Sequence, residues 1–228
     1  MKRCNIQRFL DIFFSLSALI VLSPILVAVA VALKSTGNKV FYRQKRVGLD
    51  GKKFDVLKFT TMLENSENMG SGNITLKNDS RVLPIGKFLR KSKLNELPQL
   101  INILKGDMSV IGPRPQDVAG FNAFNKEEQN VIIQVRPGLS GVGPIFFRDE
   151  DEIIERAETT DKKLFYNEHI APYKGRIEAW YVENKNIYLY FSLIFMTVYV
   201  VLRPKNKINY LKVFNAFPLP PKELSRFL

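Results

Sequence analysis

The residues best suited to chemistry lie in one stretch of the chain, from Lys58 to Arg114. Asn95 and Glu96 come just before Pro98, and proline is tolerated in the first turn of a helix, so a helix start is predicted near Asn95. The N–H groups at such a start are unpaired and carry the positive end of the helix dipole. A helix start with nearby cations is typical of an anion-binding site.

Basic side chains near this helix start are suited to binding phosphate. Arg90 precedes it, and Lys58 can add a further positive charge. Arg114 stands between two prolines, and its planar guanidinium suits bidentate contact with phosphate. The residues also have a simpler interpretation, because Asn95 is a common N-cap residue and surface lysines are usually solvated. Both interpretations stay open on these residues alone.

Composition excludes several other kinds of site. The 228 residues contain one Cys and one His, which excludes a zinc site built on two thiolates and a His-rich metal site. His169 has no neighbouring His or Cys, and we expect it to be structural. The two common glycine-rich nucleotide-binding patterns are absent, and Gly138–Gly143 is interpreted as a turn.

The positive charge is concentrated in the first half of the chain. The formal net charge is +12, and residues 1–115 hold 19 Lys and Arg against 8 Asp and Glu, whereas residues 116–228 hold 15 against 14. A basic half attracts phosphate on nucleic acid, on an anionic bilayer or on a nucleotide substrate. No nucleic-acid-binding motif is recognisable and the chain begins with an apolar segment, so we expect no nucleic acid among its partners.

That apolar segment is long enough to enter a membrane. Phe9 to Leu33 spans 25 residues, and a helix needs about 20 to cross a bilayer core. Ser23 and Pro24 at its centre predict a kink or a break, and Ser23 can hydrogen-bond back along its helix. Both flanks are basic, which leaves a kinked spanning helix open. The two basic flanks and the central break together favour a re-entrant helix-break-helix hairpin, whose two ends return to the same cytoplasmic side.

Short strands and helices are predicted for the rest of the chain. Val40–Tyr42 and Phe54–Phe59 predict strands around a glycine-containing turn. Helical spacing runs from Ile85 to Leu104, with Gly106 as its C-cap. The apolar, aromatic-rich Ile187–Leu202 predicts a helix that lies on the membrane or in the core rather than spanning.

Together these patterns predict a mostly helical α/β fold associated with a membrane. Residues 1–36 form the hairpin, residues 37–202 a small cytosolic domain with short strands and interfacial amphipathic helices, and residues 203–228 a C-terminal tail. Within the domain, the polar residues 64–80 predict a mobile loop, and residues 121–135 a helix.

Seven short motifs follow one another along the chain. In chain order they are FYRQKRVG from Phe41, KFTTM from Lys58, DSR from Asp79, KLNELPQL from Lys93, LKGDMS from Leu104, GPRP from Gly112 and RPGLSG from Arg136. Together with the Ser-Pro pair in the apolar segment, this series resembles one known family, the bacterial small monotopic phosphoglycosyl transferases. The resemblance covers about residues 1–202, and an ordered series of this length is highly specific.

The resemblance implies transfer of a sugar-1-phosphate from a UDP-sugar to a polyprenyl (undecaprenyl) phosphate, with release of UMP. It places this reaction at the cytoplasmic face of the bacterial inner membrane, in a monotopic protein, as the first membrane step of a surface glycan pathway. It also implies Mg²⁺ as cofactor. The implied partners are the UDP-sugar, the polyprenyl phosphate and the bilayer, while a homodimer and contacts with downstream glycosyltransferases stay open.

The resemblance also implies roles for individual residues. An Asp-Glu pair does the chemistry in the family, and its Asp carries the phosphosugar covalently before the lipid phosphate takes it. Asn95 and Glu96 occupy these positions, which makes them the candidate catalytic and Mg²⁺-binding residues. Lys58, Arg90 and Arg114 fall on positions associated with phosphate. Arg148 is a candidate contact on the sugar side.

Asn95 departs from the family pattern, because an amide is a poor nucleophile and a weaker Mg²⁺ ligand than a carboxylate. Three explanations stay open. Glu96 does the chemistry alone, an Asp→Asn substitution blocks turnover, or the chain is a natural pseudoenzyme. The last two fit an alternative function, in which an impaired or inactive homologue serves as a membrane-bound lipid-binding or assembly scaffold.

Overall fold

The computed structural model describes residues 5–64, 66, 79–157, 161–203, 213–214 and 216–225, without the side chains of Asn5 and Asp151. The chain divides into two compact units. One comprises Met1–Lys45 and Asp55–Lys105, and the other comprises Arg46–Phe54 and Gly106–Leu228. These units are bounded differently from the predicted division at residues 36 and 202, which stays a prediction.

The first unit contains one long helix, most of a hairpin and two short helices. In order, its elements are α1 (Asn5–Ser35), β1 (Phe41–Val47), β2 (Lys53–Phe59), α2 (Pro84–Lys91), a 3₁₀ turn (Leu94–Glu96) and α3 (Gln99–Lys105). β1 and β2 form a two-stranded sheet, which confirms the predicted strands and lengthens the first. The turn end of this hairpin, residues 46–54, belongs to the second unit.

α1 is one continuous helix, so the predicted break at its centre is absent. Pro24 lies inside the helix and has no N–H for the carbonyl of Ile20, four residues earlier. The hydroxyl of Ser23 donates to that carbonyl at 2.8 Å, which replaces the missing bond and allows the helix to continue. The helix-break-helix prediction is corrected accordingly, whereas the predicted hydrogen bond of Ser23 is confirmed.

α1 is covered at its two ends and bare in its middle. Residues 6–35 are long and apolar enough to cross a membrane, and 11% of their most apolar stretch is buried. Near the start, Asp11 and Ser15 are buried, and near the end Val29 and Leu33 are buried. Both ends of this apolar helix therefore pack within the first unit.

Two sets of contacts hold α1 and α3 in the first unit. Near the start of α1, the Arg8 guanidinium donates to the carbonyl oxygens of Ile103 at 2.6 Å and Leu104 at 2.9 Å, which caps the end of α3. The side chain of Asn102 in α3 accepts from the N–H of Leu57 at 2.9 Å and donates to the carbonyl of Asp55 at 2.8 Å. α3 is thereby fixed to both α1 and β2.

The second unit is mainly helical, with a small parallel sheet. Its elements are β3 (Ser109–Ile111), α4 (Val118–Asn122), α5 (Lys126–Ile132), β4 (Gly138–Ser140), α6 (Val142–Phe146), α7 (Glu150–Arg156), α8 (Lys162–Phe165), a π turn (Tyr166–Ile170), α9 (Ala171–Asn184), α10 (Ile187–Leu202) and α11 (Lys222–Ser225). β3 pairs with β4 in parallel, with Ser109 opposite Gly138 and Ile111 opposite Ser140.

Some predicted elements of this unit change in the structure. The helix predicted over residues 121–135 is two helices, because Asn125 starts a new one, α5, with acidic residues in its first turn. The helix predicted at Ile187–Leu202 is confirmed as α10. The loop predicted over residues 64–80 lies mostly outside the described residues.

α9 forms the centre of the second unit. Most of its side chains from Ala171 to Val182 are buried. The Trp180 ring packs on Phe214 and Phe217, with ring centroids 5.4 and 5.1 Å away. The hydroxyl of Tyr173 donates to the carbonyl of Pro218 at 2.9 Å. Part of the predicted C-terminal tail is therefore built into the core of this unit.

Candidate active site

Asn95 and Glu96 lie in a tight 3₁₀ turn, and the first residue of α3 is Gln99. Because Pro98 has no N–H for the carbonyl of Leu94, the N–H of Leu97 donates to it at 3.2 Å, which tightens the turn. The α-helix start predicted near Asn95 is therefore corrected to a 3₁₀ turn that leads into α3. The predicted C-cap is confirmed, since Gly106 follows α3 with a φ of +92°.

The side chain of Asn95 does not act as a helix cap. It is half-buried, and its Oδ1 is shielded from solvent and accepts no hydrogen bond from the described residues. An unpaired buried oxygen costs about 1–3 kcal/mol, so capping does not account for Asn95 at this position.

The elements that carry the candidate residues of the first unit meet in one hydrophobic cluster. Lys58 on β2, Arg90 on α2 and Asn95 in the 3₁₀ turn are each adjacent in sequence to one of its members. Those members are Phe59, Leu89 and Leu94, respectively, and they pack with Val29 and Leu33 near the end of α1. The structure therefore anchors the backbone next to these three residues to the end of the apolar helix.

Arg114 and Arg148 belong to the second unit. Arg114 lies in the turn Gly112–Pro115 that follows β3, and its N–H donates to Oε1 of Glu178 at 2.9 Å. Arg148 lies between α6 and α7, and its guanidinium donates to the carbonyl of Val200 in α10. This contact gives Arg148 a structural partner, while its role on the sugar side stays a prediction.

The glycine-rich segment that sequence reasoning interpreted as a turn is part of the framework behind Arg114. Gly138 begins β4, and the N–H of Gly112 donates to the carbonyl of Ser140 at 2.9 Å. A Cβ on Gly138 or Gly141 would lie 2.1 Å from backbone atoms of Gly112, which no side chain can tolerate. The turn interpretation is therefore wrong, because these glycines allow two strands to approach closely.

Sequence reasoning also missed Glu178, the buried carboxylate of α9. Its side chain is 1% exposed, and burial raises its pKa to about 7, although hydrogen bonds from the N–H groups of Arg114 and Gly143 and the charge of Lys174 oppose this shift. Lys174 itself forms an ion pair with Glu150. The sequence signal that could have identified Glu178 is a single carboxylate within an otherwise apolar segment of the helix.

The oxygen donors at the 3₁₀ turn fit a magnesium ion held partly by substrate. Asn95 offers an amide oxygen that accepts no hydrogen bond within the described part of the chain, and Glu96 offers a carboxylate. Within the part of the chain that the structure describes, no three His, Cys, Asp or Glu side chains gather into a metal site. Mg²⁺ is often bound by one or two carboxylates together with waters and substrate phosphates, and a pair of donors suits that mode.

The chain combines a long apolar helix with an Asn-Glu turn that leads into a short helix. A family model described as bacterial sugar transferase matches residues 2–204. The chain belongs to this family, and the predicted membership is confirmed.

Relatives from several bacteria agree with this assignment. The UDP-glucose:undecaprenyl-phosphate glucose-1-phosphate transferase of Klebsiella pneumoniae is 37% identical over 199 residues, which are 85% of this chain and 39% of the relative. The UDP-N-acetylgalactosamine-undecaprenyl-phosphate N-acetylgalactosaminephosphotransferase of Aeromonas hydrophila is 32% identical over 200 residues, 86% of this chain and 44% of the relative. The uncharacterised sugar transferase EpsL of Bacillus subtilis is 33% identical over 178 residues, 78% of this chain and 77% of EpsL. The chain spans about two-fifths of the length of most of these relatives.

Proposed function

We propose that the chain transfers a sugar-1-phosphate from a UDP-sugar to a polyprenyl phosphate, such as undecaprenyl phosphate, and releases UMP. The observation that carries the proposal is the cluster shared by α1 and the neighbours of Lys58, Arg90 and Asn95. A water-soluble donor and a lipid acceptor must meet at a membrane surface. We propose that the cations and the carboxylate carried by the elements that pack on the end of α1 supply such a meeting point.

The proposed chemistry consists of two displacements at one phosphorus atom. A carboxylate oxygen of Glu96 attacks the β-phosphorus, and the bond to the bridging oxygen breaks with its electron pair, which leaves as part of UMP. A phosphate oxygen of the lipid then attacks the same phosphorus and displaces Glu96. Cationic side chains neutralise the phosphate charge, because this kind of transfer depends mainly on positioning and electrostatics. Lys58, Arg90 and Arg114 are the candidates for this role.

Magnesium would be held by the oxygen donors of Asn95 and Glu96 together with the substrate phosphates. When bound, it supplies further neutralisation of the diphosphate charge. The neutral amide of Asn95 leaves Glu96 as the one carboxylate of the pair. The proposal therefore assigns the nucleophile to Glu96 and a holding role to Asn95.

We also propose that the protein is monotopic and lies at the cytoplasmic face of the inner membrane. The support is the burial pattern of α1, whose two ends pack within the first unit while its apolar middle is bare. α10 adds exposed apolar side chains suited to the bilayer interface, among them Tyr188, Phe195 and Leu202. Contact of α1 with one leaflet leaves both of its ends on the same side.

Cysteine labelling tests this topology. Ile6→Cys and Asn38→Cys are made separately in a Cys4→Ser background, so that each variant has one thiol. An impermeant maleimide is then added to spheroplasts and to lysed cells. A monotopic protein reacts at both positions only after lysis, whereas reaction of one position in intact spheroplasts would show that α1 spans the membrane.

A panel of UDP-sugars tests the reaction. The purified chain is incubated with undecaprenyl phosphate, Mg²⁺ and each UDP-sugar, and UMP is measured beside Asn95→Asp and Glu96→Gln variants. We expect UMP from at least one sugar and none from Glu96→Gln. A rate increase above about tenfold in Asn95→Asp, equal to about 1.4 kcal/mol of transition-state stabilisation, would contradict a site that works with Glu96 alone.

The amide at position 95 favours one alternative function. A homologue that lacks the family's aspartate can retain lipid and membrane binding while its turnover is impaired, and it then serves as a scaffold. This alternative predicts binding of undecaprenyl phosphate without UMP release. Turnover by the unaltered chain in the same panel would exclude it.

A further inference from the structure

The turn that carries Arg114 is held firmly on its strand side. The N–H of Gly112 donates to the carbonyl of Ser140 at 2.9 Å, and the N–H of Gly138 donates to the carbonyl of Pro113 at 2.8 Å. These bonds continue the parallel β3–β4 ladder into the turn. The backbone before Arg114 is therefore fixed by the sheet.

α9 holds this turn and the end of β3 that leads into it, through two residues three positions apart. Oε1 of Glu178 accepts from the N–H of Arg114 at 2.9 Å, and the hydroxyl of Tyr181 donates to the carbonyl of Ile111 at 3.2 Å. The Glu178 carboxylate also accepts from the N–H of Gly143. A Cβ at Gly143 would lie 2.1 Å from Oε1, so glycine is required for this approach.

Joining a helix to a turn through a buried carboxylate is energetically unfavourable. Glu178 is 1% exposed, and its Oε2 has no hydrogen-bond partner among the described residues. Glutamine would offer the same acceptor without the charge, and burying a charge is unfavourable unless it is well paired. An ionised acceptor, however, makes shorter and stronger hydrogen bonds than a neutral one. The charge therefore favours a firmly fixed backbone at Arg114.

We propose that Glu178 is a positioning residue, which fixes the backbone of Arg114 so that the guanidinium is presented to substrate phosphate in one orientation. This inference rests on the proposed function, because it takes Arg114 as a phosphate ligand. Glu178 is buried, so we assign it no direct contact with substrate. Its effect on binding must therefore pass through Arg114, and this dependence can be measured.

A double-mutant cycle on UDP affinity measures that dependence. Affinity is determined at about pH 8, where the Glu178 carboxylate is ionised, for the unaltered chain, Glu178→Gln, Arg114→Ala and the double variant. We expect Glu178→Gln to weaken UDP binding about tenfold, or about 1.4 kcal/mol, in the unaltered background. In the Arg114→Ala background the same change should weaken binding less than about twofold.

The matched control is Glu183→Gln, which removes an exposed carboxylate from the same helix and should leave UDP affinity unchanged.

If Glu178→Gln does not fold, a second variant takes its place. Tyr181→Phe releases the end of β3 at Ile111, next to the turn that carries Arg114, and it should weaken UDP binding about threefold only when Arg114 is present. Equal weakening in both Arg114 backgrounds, or no weakening in either, would overturn the inference. Lack of UDP binding by the unaltered chain would contradict the proposed function itself, and the role of Glu178 with it.

Discussion

The pKa of Glu178 makes the stability of the fold depend on pH. Burial raises this pKa from its ordinary value of 4.5 to about 7. Between these values the folded protein holds a proton that the unfolded chain has released. Stability therefore falls as the pH rises through this window, because the folded state must then bury an ionised carboxylate.

The expected size of this effect follows from the two pKa values. Proton linkage for a group that titrates at 4.5 when unfolded and at about 7 when folded lowers the free energy of unfolding by about 2 kcal/mol between about pH 5.5 and about pH 8. For a chain of this length, 1 kcal/mol shifts Tm by about 2–4 °C. The contribution of Glu178 to the Tm difference is therefore about 4–8 °C.

Thermal unfolding of the detergent-solubilised protein measures this contribution. Tm is recorded at both pH values for the unaltered chain and for Glu178→Gln, which keeps the shape of the side chain and cannot ionise. All other titrating groups are common to both proteins, so the difference between their pH dependences isolates Glu178. Glu183→Gln should keep the full pH dependence. Equal pH dependence of the unaltered chain and Glu178→Gln would refute the assignment of a buried, titrating carboxylate.

Three further substitutions test the framework of the two units. Gly141→Ala places a Cβ 2.1 Å from the carbonyl oxygen of Gly112 and should lower the free energy of unfolding by about 3 kcal/mol or prevent folding, as measured by chemical denaturation. Ser23→Ala leaves the carbonyl of Ile20 without its donor and should cost about 1 kcal/mol, measured as a lower Tm in detergent. Arg8→Ala removes two hydrogen bonds to the end of α3 and should cost about 1.5–3 kcal/mol by the same measurement.

Each of these substitutions has a matched control in the chain. Gly120→Ala would meet only side-chain atoms, the nearest at 3.3 Å, and it should fold normally. Ser17→Ala removes another hydroxyl of α1, and Lys34→Ala removes an exposed cation near its other end. A substitution that costs no more than its control would show that the contact assigned to it is not the source of stability.

Local sequence signals predicted several elements of the structure. The apolar run predicted a helical segment, although the break favoured at its centre is absent. The turn residues predicted the β1–β2 hairpin, and Gly106 predicted the end of α3. The hydroxyl of Ser23 was also expected to bond back along its helix. Each of these features depends on residues within a few positions of one another, so its signal is present in a short window of sequence.

The features that sequence reasoning missed depend on distant residues. Pairing of Gly112 with Ser140 joins two strands far apart in the chain, so Gly138–Gly143 looked like a local turn. Glu178 acquires its role only because α9 packs against the turn that carries Arg114. The 3₁₀ turn at Asn95 was predicted incorrectly for a local reason. Pro98 was expected only to be compatible with the start of an α-helix, but because it has no N–H the turn before it is tighter than an α-helical turn.

The fate of the β-phosphate tests the central claim most directly. The purified chain is incubated with undecaprenyl phosphate, Mg²⁺ and the UDP-sugar that supports UMP release, labelled at its β-phosphate, and the lipid is then extracted. Phosphoglycosyl transfer predicts that the label enters the lipid fraction together with the sugar, and that Glu96→Gln abolishes this transfer. Sugar in the lipid fraction with the label left in water-soluble UDP would contradict the account, because the protein would then transfer the sugar without its phosphate.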